Sequence, residues 1–496
     1  MSIQSPHRLL KLAIQSLLTD KALAMRAVED LPGELFPPVF MEAFTRGHNE
    51  VLKAMVMSWP FPYLPLGALT SMWKRKNLNT LVDVAQVQNR MIQAVLGGVD
   101  VLLSQKLGSR RLKLQVLDMR DENQDFWRVW AANELEACSS EVMRKRKTEE
   151  IPPRVAKQQP LTMILDLWLS QDYLSPSQSY LLKWAQQRED LVQLDCTKLC
   201  ITTRCFEMIT EVLEMLNLDS VQELSVGHYW TLYTSASFAP FLGQMRNLHK
   251  LVLCDVSVVP IPIIHPEKRD QWLTQIMSQL LKLEHLQEIY MNSVSFMEGH
   301  LDMVLRCLTC PLETLSLTHC QLSHTDWNRM PHLEITRHLK HLDLSYTSLT
   351  DFNPKTLQIL LDNAAATLSI LHLENCGITD AQLCALLPAL SCCSQLTAFC
   401  FIRNFISIDT MKSLLCHTAR MSNLRLELHS VPQEVYIPWH DVNQQIQNHV
   451  QETMRSIIKP LNHPRTVWFC VCHCALCCTS PLHKIHLSPC PACVPV

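Results

Sequence analysis

Glycine is scarce in this chain, at 10 of 496 residues, and that scarcity removes the functions that need a flexible phosphate cradle. Neither G-x-x-x-x-G-K-[ST] nor G-x-G-x-x-G occurs, so no common nucleotide-binding loop is present. Charge of one sign is lacking as well. A formal net charge of −3 and a pI near 6.7 give no general attraction to nucleic acid or an anionic bilayer, which need clustered cations. No apolar run is long enough to span a membrane. The opening residues carry Leu9, Leu10, Leu12, Ile14, Leu17 and Leu18, but Lys11, Gln15 and Ser16 interrupt them and no small-residue cleavage site follows. The expectation is an amphipathic helix and not a signal peptide. With 47% hydrophobic and 18% charged residues the chain reads as folded. Cysteine is plentiful, at 21; without a secretion signal these thiols are expected to be reduced, mostly as small buried hydrophobes of an intracellular protein.

What is present is a repeat. The pattern L-x-x-L-x-L-x-x-[N/C/T]-x-L is met by Leu312, Leu315, Leu317, Cys320 and Leu322, and again by Leu339, Leu342, Leu344, Thr347 and Leu349. Leu368, Leu371, Leu373, Cys376 and Ile378 repeat it, followed by Leu396, Phe399, Phe401, Asn404 and Ile406. Successive starts lie 27, 29 and 28 residues apart, the class with a strand and a full helix per unit. Looser copies begin at Leu286, Leu248, Val221 and Leu191, a further strand is expected from Leu424 through Leu426 and Leu428, and Leu114, Leu117 and Met119 suggest an early outlying one. Alternating leucines face the interior of a parallel sheet, and the Asn, Cys or Thr turns the chain. Thr379, Asp380, Leu383, Leu386, Leu387 and Leu390 then combine a capping residue with helical apolar spacing. Each unit seals its interior only by stacking on neighbours. The fold class expected is α/β: a leucine-rich-repeat solenoid with a parallel concave sheet and convex helices, plus an N-terminal helical cap. Two L-x-x-L-L segments, Leu357–Leu361 and Leu383–Leu387, match a receptor-binding box, but on repeat helices their leucines are expected in the core.

The first 100 residues or so are built differently. Leu9, Ala13 and Leu17 form one stripe of a helix, and Leu31, Pro32, Leu35 and Val39 an apolar-Pro-x-x-apolar-x-x-x-apolar series. By spacing alone the stripe is either a docking surface or the packing face of a cap. The blocks RLLKLAIQSLLTDKALA, LPGELFPPVFMEAF, SWPFPYLPLG, KLQVLDMRD with DFWRVW, and ENCGITDAQLCALLPALSCCSQL resemble the PRAME family (preferentially expressed antigen in melanoma and its relatives) over nearly the whole chain.

That resemblance implies a horseshoe of repeats acting as substrate receptor of a cullin-2 RING ubiquitin ligase. Leu9, Ala13 and Leu17 would stand in the elongin-C box, and Leu31, Pro32, Leu35 and Val39 in the cullin-2 box. Arg8 stands where such a box usually begins with Ser, Thr or Pro, and Ala13 where it has Cys. The resemblance also implies negative regulation of transcription, differentiation and apoptosis, and promotion of proliferation. The alternative is a scaffold or transcriptional corepressor that recruits no ligase.

The client is expected on the concave face, at Tyr290, His341, Asp343, Tyr346, His372, Glu374 and Arg403, a mixture that suits a protein epitope better than a phosphate backbone. Each alone reads as a solvated strand residue. Arg144, Lys145, Arg146 and Lys147 lie in an expected exposed linker, 137–160, and read as either a nuclear-import signal or an ordinary basic loop, so the location expected is cytoplasmic, with nuclear entry open. The last 27 residues hold seven cysteines; Cys474, Cys477, Cys490 and Cys493 have the spacing of two zinc knuckles, the alternative being a thiol-rich tail without metal. The divisions expected are a cap to residue 100, an outlying repeat at 101–136, the linker, repeats over 161–430, a C-terminal cap over 431–469 and the cysteine-rich tail. No motif pins a catalytic pair, so no enzyme, no other cofactor, and no nucleic-acid or membrane partner is expected.

Overall fold

The computed structural model describes residues 9–77, 84–104, 113–122, 124–127, 160–170, 174–228, 230–256, 266–435, 452 and 466–470. The chain forms two compact units, one of Met1–Trp168, Asp172–Lys198 and Glu207–Asn217, the other of Leu169–Gln171, Leu199–Phe206 and Leu218–Val496. No helix among the described residues is long and apolar enough to cross a membrane.

The first unit begins with helices α1 (Leu9–Thr19), α2 (Lys21–Asp30), α3 (Phe36–Arg46) and α4 (Asn49–Met57). Asp20 separates the first two: its carboxylate accepts from the N–H groups of Ala22 and Leu23 and so caps α2. Gly47, at φ 73°, ends α3 in a left-handed turn. The apolar faces meet in an aromatic cluster, where Phe40 lies 5.1 Å from Trp59 and stacks at 5.9 Å on Trp127. The Trp127 indole donates to the Pro65 carbonyl at 2.7 Å, which pins the cluster to strand β1 (Tyr63–Pro65). β1 pairs in parallel with β2 (Val116–Asp118), and β2 with β3 (Leu161–Leu169); further along the chain β4 (Val192–Ile201) pairs in parallel with β5 (Leu216–Asn217). The sheet thus begins within the segment read from sequence as a helical cap. Gly67 permits this, because a Cβ there would lie 2.1 Å from the Met119 carbonyl. Asp118, fully buried, accepts from the Tyr63 hydroxyl at 2.5 Å and pairs with Arg120 at 2.9 Å.

In the second unit parallel strands follow in chain order: β6 (Glu223–Gly227), β7 (Lys250–Cys254), β8 (Glu288–Asn292), β9 (Thr314–Thr318), β10 (His341–Asp343), β11 (Ile370–His372), β12 (Ala398–Phe401), β13 (Leu426–Ser430) and β14 (Thr466–Cys470). Leu315, Leu342, Leu371 and Phe399 lie in one register, each 2% exposed or less. Helices Pro354–Ala364, Asp380–Cys392 and Ile408–Thr418 follow their strands, each capped by the side chain before it, Asn353, Thr379 and Ser407. The leucines of both L-x-x-L-L segments are buried at 4% exposure or less, so these are core positions. Each such side chain contributes roughly 1.5–3 kcal/mol by leaving water.

Two ladders run through the repeats. The eighth residue of every repeat from Val221 to Leu396 has positive φ: His228, Asp255, Ser293, His319, Tyr346, Asn375 and Arg403. The first six of these donate their backbone N–H to a carbonyl of the next repeat at 2.7–3.2 Å, which holds the left-handed turn. In the four repeats from Leu312 to Leu396 the following residue is the consensus Asn, Cys or Thr. Its side chain reaches back to the preceding repeat: Cys320 to the Met291 carbonyl at 3.6 Å, Thr347 to Leu317 at 2.6 Å, Cys376 to Leu344 at 3.2 Å and Asn404 to Leu373 at 2.6 Å. In the repeats that begin at Leu248 and Leu286 the same slot holds Val256 and Val294, both fully buried, so there it is filled by packing alone.

The last full repeat breaks the pattern. Glu427 pairs with Phe399 in register and so occupies the leucine position, with His429 in the next one. Both are fully buried and hydrogen-bonded to each other at 3.1 Å. The alternating Leu426 and Leu428 therefore lie on the opposite side from the inner leucines, contrary to the expectation from their spacing.

Candidate functional site

In the first unit the candidate surface is α1. Ile14 and Leu18, four apart, are buried at 7% and 2% exposure and anchor the helix. The predicted stripe is turned away from them: Leu9 is 86% exposed, Ala13 exposed and Leu17 half-buried. Leu12, which sequence reasoning missed, joins it at 48%. Four of the twelve exposed large hydrophobics among the described residues, Leu9, Leu12, Leu23 and Met25, fall in α1 and α2. Of the second series, Leu31 and Leu35 are half-buried and Pro32 is exposed, whereas Val39, at 3%, packs into the core of its unit.

In the second unit the candidate surface is the face of the sheet opposite the inner leucines, here the open face. Side chains alternate along a strand, so His341 and Asp343 project from the same side of β10. Parallel register places His372 of β11 beside Asp343. The expectation of solvated side chains does not hold at this centre: His341 is 8% exposed, Asp343 7% and Ser316 4%. Polar groups on neighbouring strands bond sideways. The Ser316 hydroxyl donates to Asp343 Oδ2 at 3.3 Å, and the Ser345 N–H to Asp343 Oδ1 at 2.9 Å. The His341 and His372 rings meet edge to face at 5.3 Å. Burial pushes the His341 imidazole down to about 4, with His372 adding repulsion, and burial lowers His372 as well, so both rings are neutral at pH 7.

Tyr346 and Arg403 are not strand residues; both stand at the left-handed eighth position of their repeats. There they form a polar cluster with Glu374. The Tyr346 hydroxyl donates to Glu374 Oε1 at 2.5 Å, and Arg403 Nη1 donates to the Tyr346 oxygen at 3.1 Å. Burial raises the Glu374 carboxyl, opposed by the Tyr346 hydrogen bond and the Arg403 charge. His319, the eighth residue one repeat earlier, stacks on the Tyr346 ring at 4.3 Å. Sequence reasoning missed His319 because eighth positions share no residue type. Tyr290 lies apart on β8, its hydroxyl on Glu288 at 3.1 Å and Lys250 over its ring at 5.0 Å. Tyr290, Tyr346, His372, Glu374 and Arg403 are all half-buried. These half-buried aromatic and charged groups make a mixed surface that suits contact with a protein. Arg144, Lys145, Arg146 and Lys147, and Cys474, Cys477, Cys490 and Cys493, lie outside the described residues.

Stacked strand-and-helix units sealed by register-matched leucines define a leucine-rich-repeat protein. Residues 6–127 match the PRAME N-terminal domain and residues 161–493 the PRAME C-terminal domain, so the chain belongs to the PRAME family. It is 44% identical over 490 residues to PRAME family member 20 of Homo sapiens, covering 99% of this chain and 100% of that one. It is also 44% identical over 483 residues to PRAME family member 12 of Homo sapiens, covering 96% and 95%. Among solved structures, a chain of the Rad7 and Elc1 complex in yeast is similar at a TM-score of 0.32 and 18% identity, over 52% of this chain and 63% of that one. A likeness that slight has no bearing on partners.

Proposed function

We propose that the chain is a substrate receptor of a cullin-2 RING ubiquitin ligase. In this reading α1 docks on elongin C, Leu31, Pro32 and Leu35 contact cullin-2, and the open face around Tyr346, Glu374 and Arg403 holds a client protein for proteasomal degradation. The observation that carries the reading is the stripe of Leu9, Leu12 and Ala13 turned to solvent on a helix already anchored by Ile14 and Leu18. An exposed apolar stripe is costly unless a partner covers it, and Ala13 lets a second helix approach closely. Bound subunits carry out ubiquitin transfer; the chain itself catalyses nothing and needs no cofactor for this role. Client removal then accounts for the family-implied effects on transcription, differentiation, apoptosis and proliferation, in the cytoplasm and, through Arg144–Lys147, in the nucleus.

The test is co-purification from cells of the parent chain and of Leu9→Asp with Leu12→Asp. Both positions face solvent, so folding is expected to persist. Elongin C and cullin-2 should accompany the parent and be lost from the variant, while client proteins stay with both. Absence of both ligase subunits from the parent overturns the reading in favour of a scaffold or corepressor.

A further inference from the structure

The centre of the open face holds a cluster that the receptor reading leaves unused. His341, Asp343 and His372 each offer a ligand atom, and all three atoms lie within 4.8 Å of one another. Two residues apart on β10 and directly paired across to β11, these side chains are brought to one point by the sheet itself. We propose that His341, Asp343 and His372 form a three-ligand site for a divalent first-row transition ion of the zinc type.

The donor set fits that class. Two imidazoles and one carboxylate suit zinc and cobalt, while magnesium and calcium require mostly oxygen donors. Zinc bonds to such ligands at about 2.0–2.2 Å, so tetrahedral ligand atoms stand about 3.4 Å apart, inside the 4.8 Å within which the three atoms lie. His341 supplies the second, independent observation. Its side chain is more than nine-tenths buried at 8% exposure, and its Nε2, shut off from solvent, has no hydrogen-bond partner among the described residues. A buried ring nitrogen without a partner is unfavourable, and coordination through its lone pair would satisfy it. Asp343 is oriented for ligation by Ser345 and Ser316, as carboxylate ligands usually are. Three protein ligands leave a fourth position for a water or a side chain of a bound protein. The site does not depend on the ligase reading.

The experiment uses the full chain with all seven tail cysteines, Cys470, Cys472, Cys474, Cys477, Cys478, Cys490 and Cys493, replaced by Ser, so that tail thiols do not obscure the result. Freed of metal by chelator dialysis and titrated with Co(II), this chain should show visible d–d bands saturating at one equivalent, without thiolate charge-transfer absorption, and reversed by Zn(II). His372→Gln and Asp343→Asn should each weaken Co(II) binding at least about tenfold, with circular dichroism unchanged. Absent bands, charge-transfer absorption in their place, or bands indifferent to both substitutions overturn the proposal. Should either variant aggregate, X-ray absorption on the zinc-loaded parent decides: two imidazoles with oxygen support the site, and sulfur scatterers contradict it.

Discussion

In the second unit the inner residues Leu315, Leu317, Leu342, Leu344, Leu371 and Leu373 are each 2% exposed or less, whereas in α1 of the first unit Leu9 is 86% exposed and Leu12 48%. The residue type is the same and the physical role differs. A repeat leucine has its partner assigned by register, because the strands beside it carry a leucine at the same height. The α1 leucines lie off the face that Ile14 and Leu18 bury, and their own unit assigns them no partner. Leucine content alone thus separates nothing; position relative to a repeating hydrogen-bond ladder separates structural leucines from those available to another chain.

That contrast can be broken by substitution, most strongly at the inner leucines. Leu371→Ala should lower the stability of the full chain by roughly 2–5 kcal/mol, since the site is sealed on all sides and collapses poorly. Leu9→Ala should change it by less than about 0.5 kcal/mol. Thermal and denaturant unfolding of both would reverse the assignment if the two costs were equal.

The ladder itself gives an intermediate effect. Asn404 donates to the Leu373 carbonyl and accepts from the N–H groups of Cys376 and Ile378 at 3.1 Å each. Asn404→Ala should therefore cost about 1–3 kcal/mol by leaving buried backbone groups unpaired, measured by the same unfolding curves. A cost near zero would show that the turn does not need its side-chain donor.

The smallest effect expected is at the left-handed turn. Asn375, exposed at φ 51°, should tolerate Gly with little change, while Val, branched at Cβ, should cost about 1 kcal/mol or somewhat more. Equal unfolding temperatures for Asn375→Gly and Asn375→Val would remove the turn from the account.

The leucine spacing made the repeats legible because period-two alternation and a fixed start-to-start distance both follow from the geometry of stacked units. Strands β2, β9, β10, β11, β12 and β13 fall where those leucines predict strands or their outlying copies. Leu426 and Leu428 misled for a physical reason: alternation tells which residues share a side, but not which side is inner, and the buried Glu427–His429 pair took the leucine slots. β1 was hidden by prolines, and the left-handed eighth positions by their mixed residue types. At the open face, residue types were readable while burial was not, because His341 and Asp343 are sheltered by the residues that strand register places beside them on β9 and β11. At α1 the period of four was readable and the direction it faces was not.

Hydrogen exchange on the purified full chain, with and without purified elongin C, tests the central claim most directly. The account predicts slowed exchange in Leu9–Thr19 on binding, no change in strands β9 to β12, and loss of the effect in Leu9→Asp with Leu12→Asp. Binding that protects the open face and leaves the first helix unprotected would contradict it.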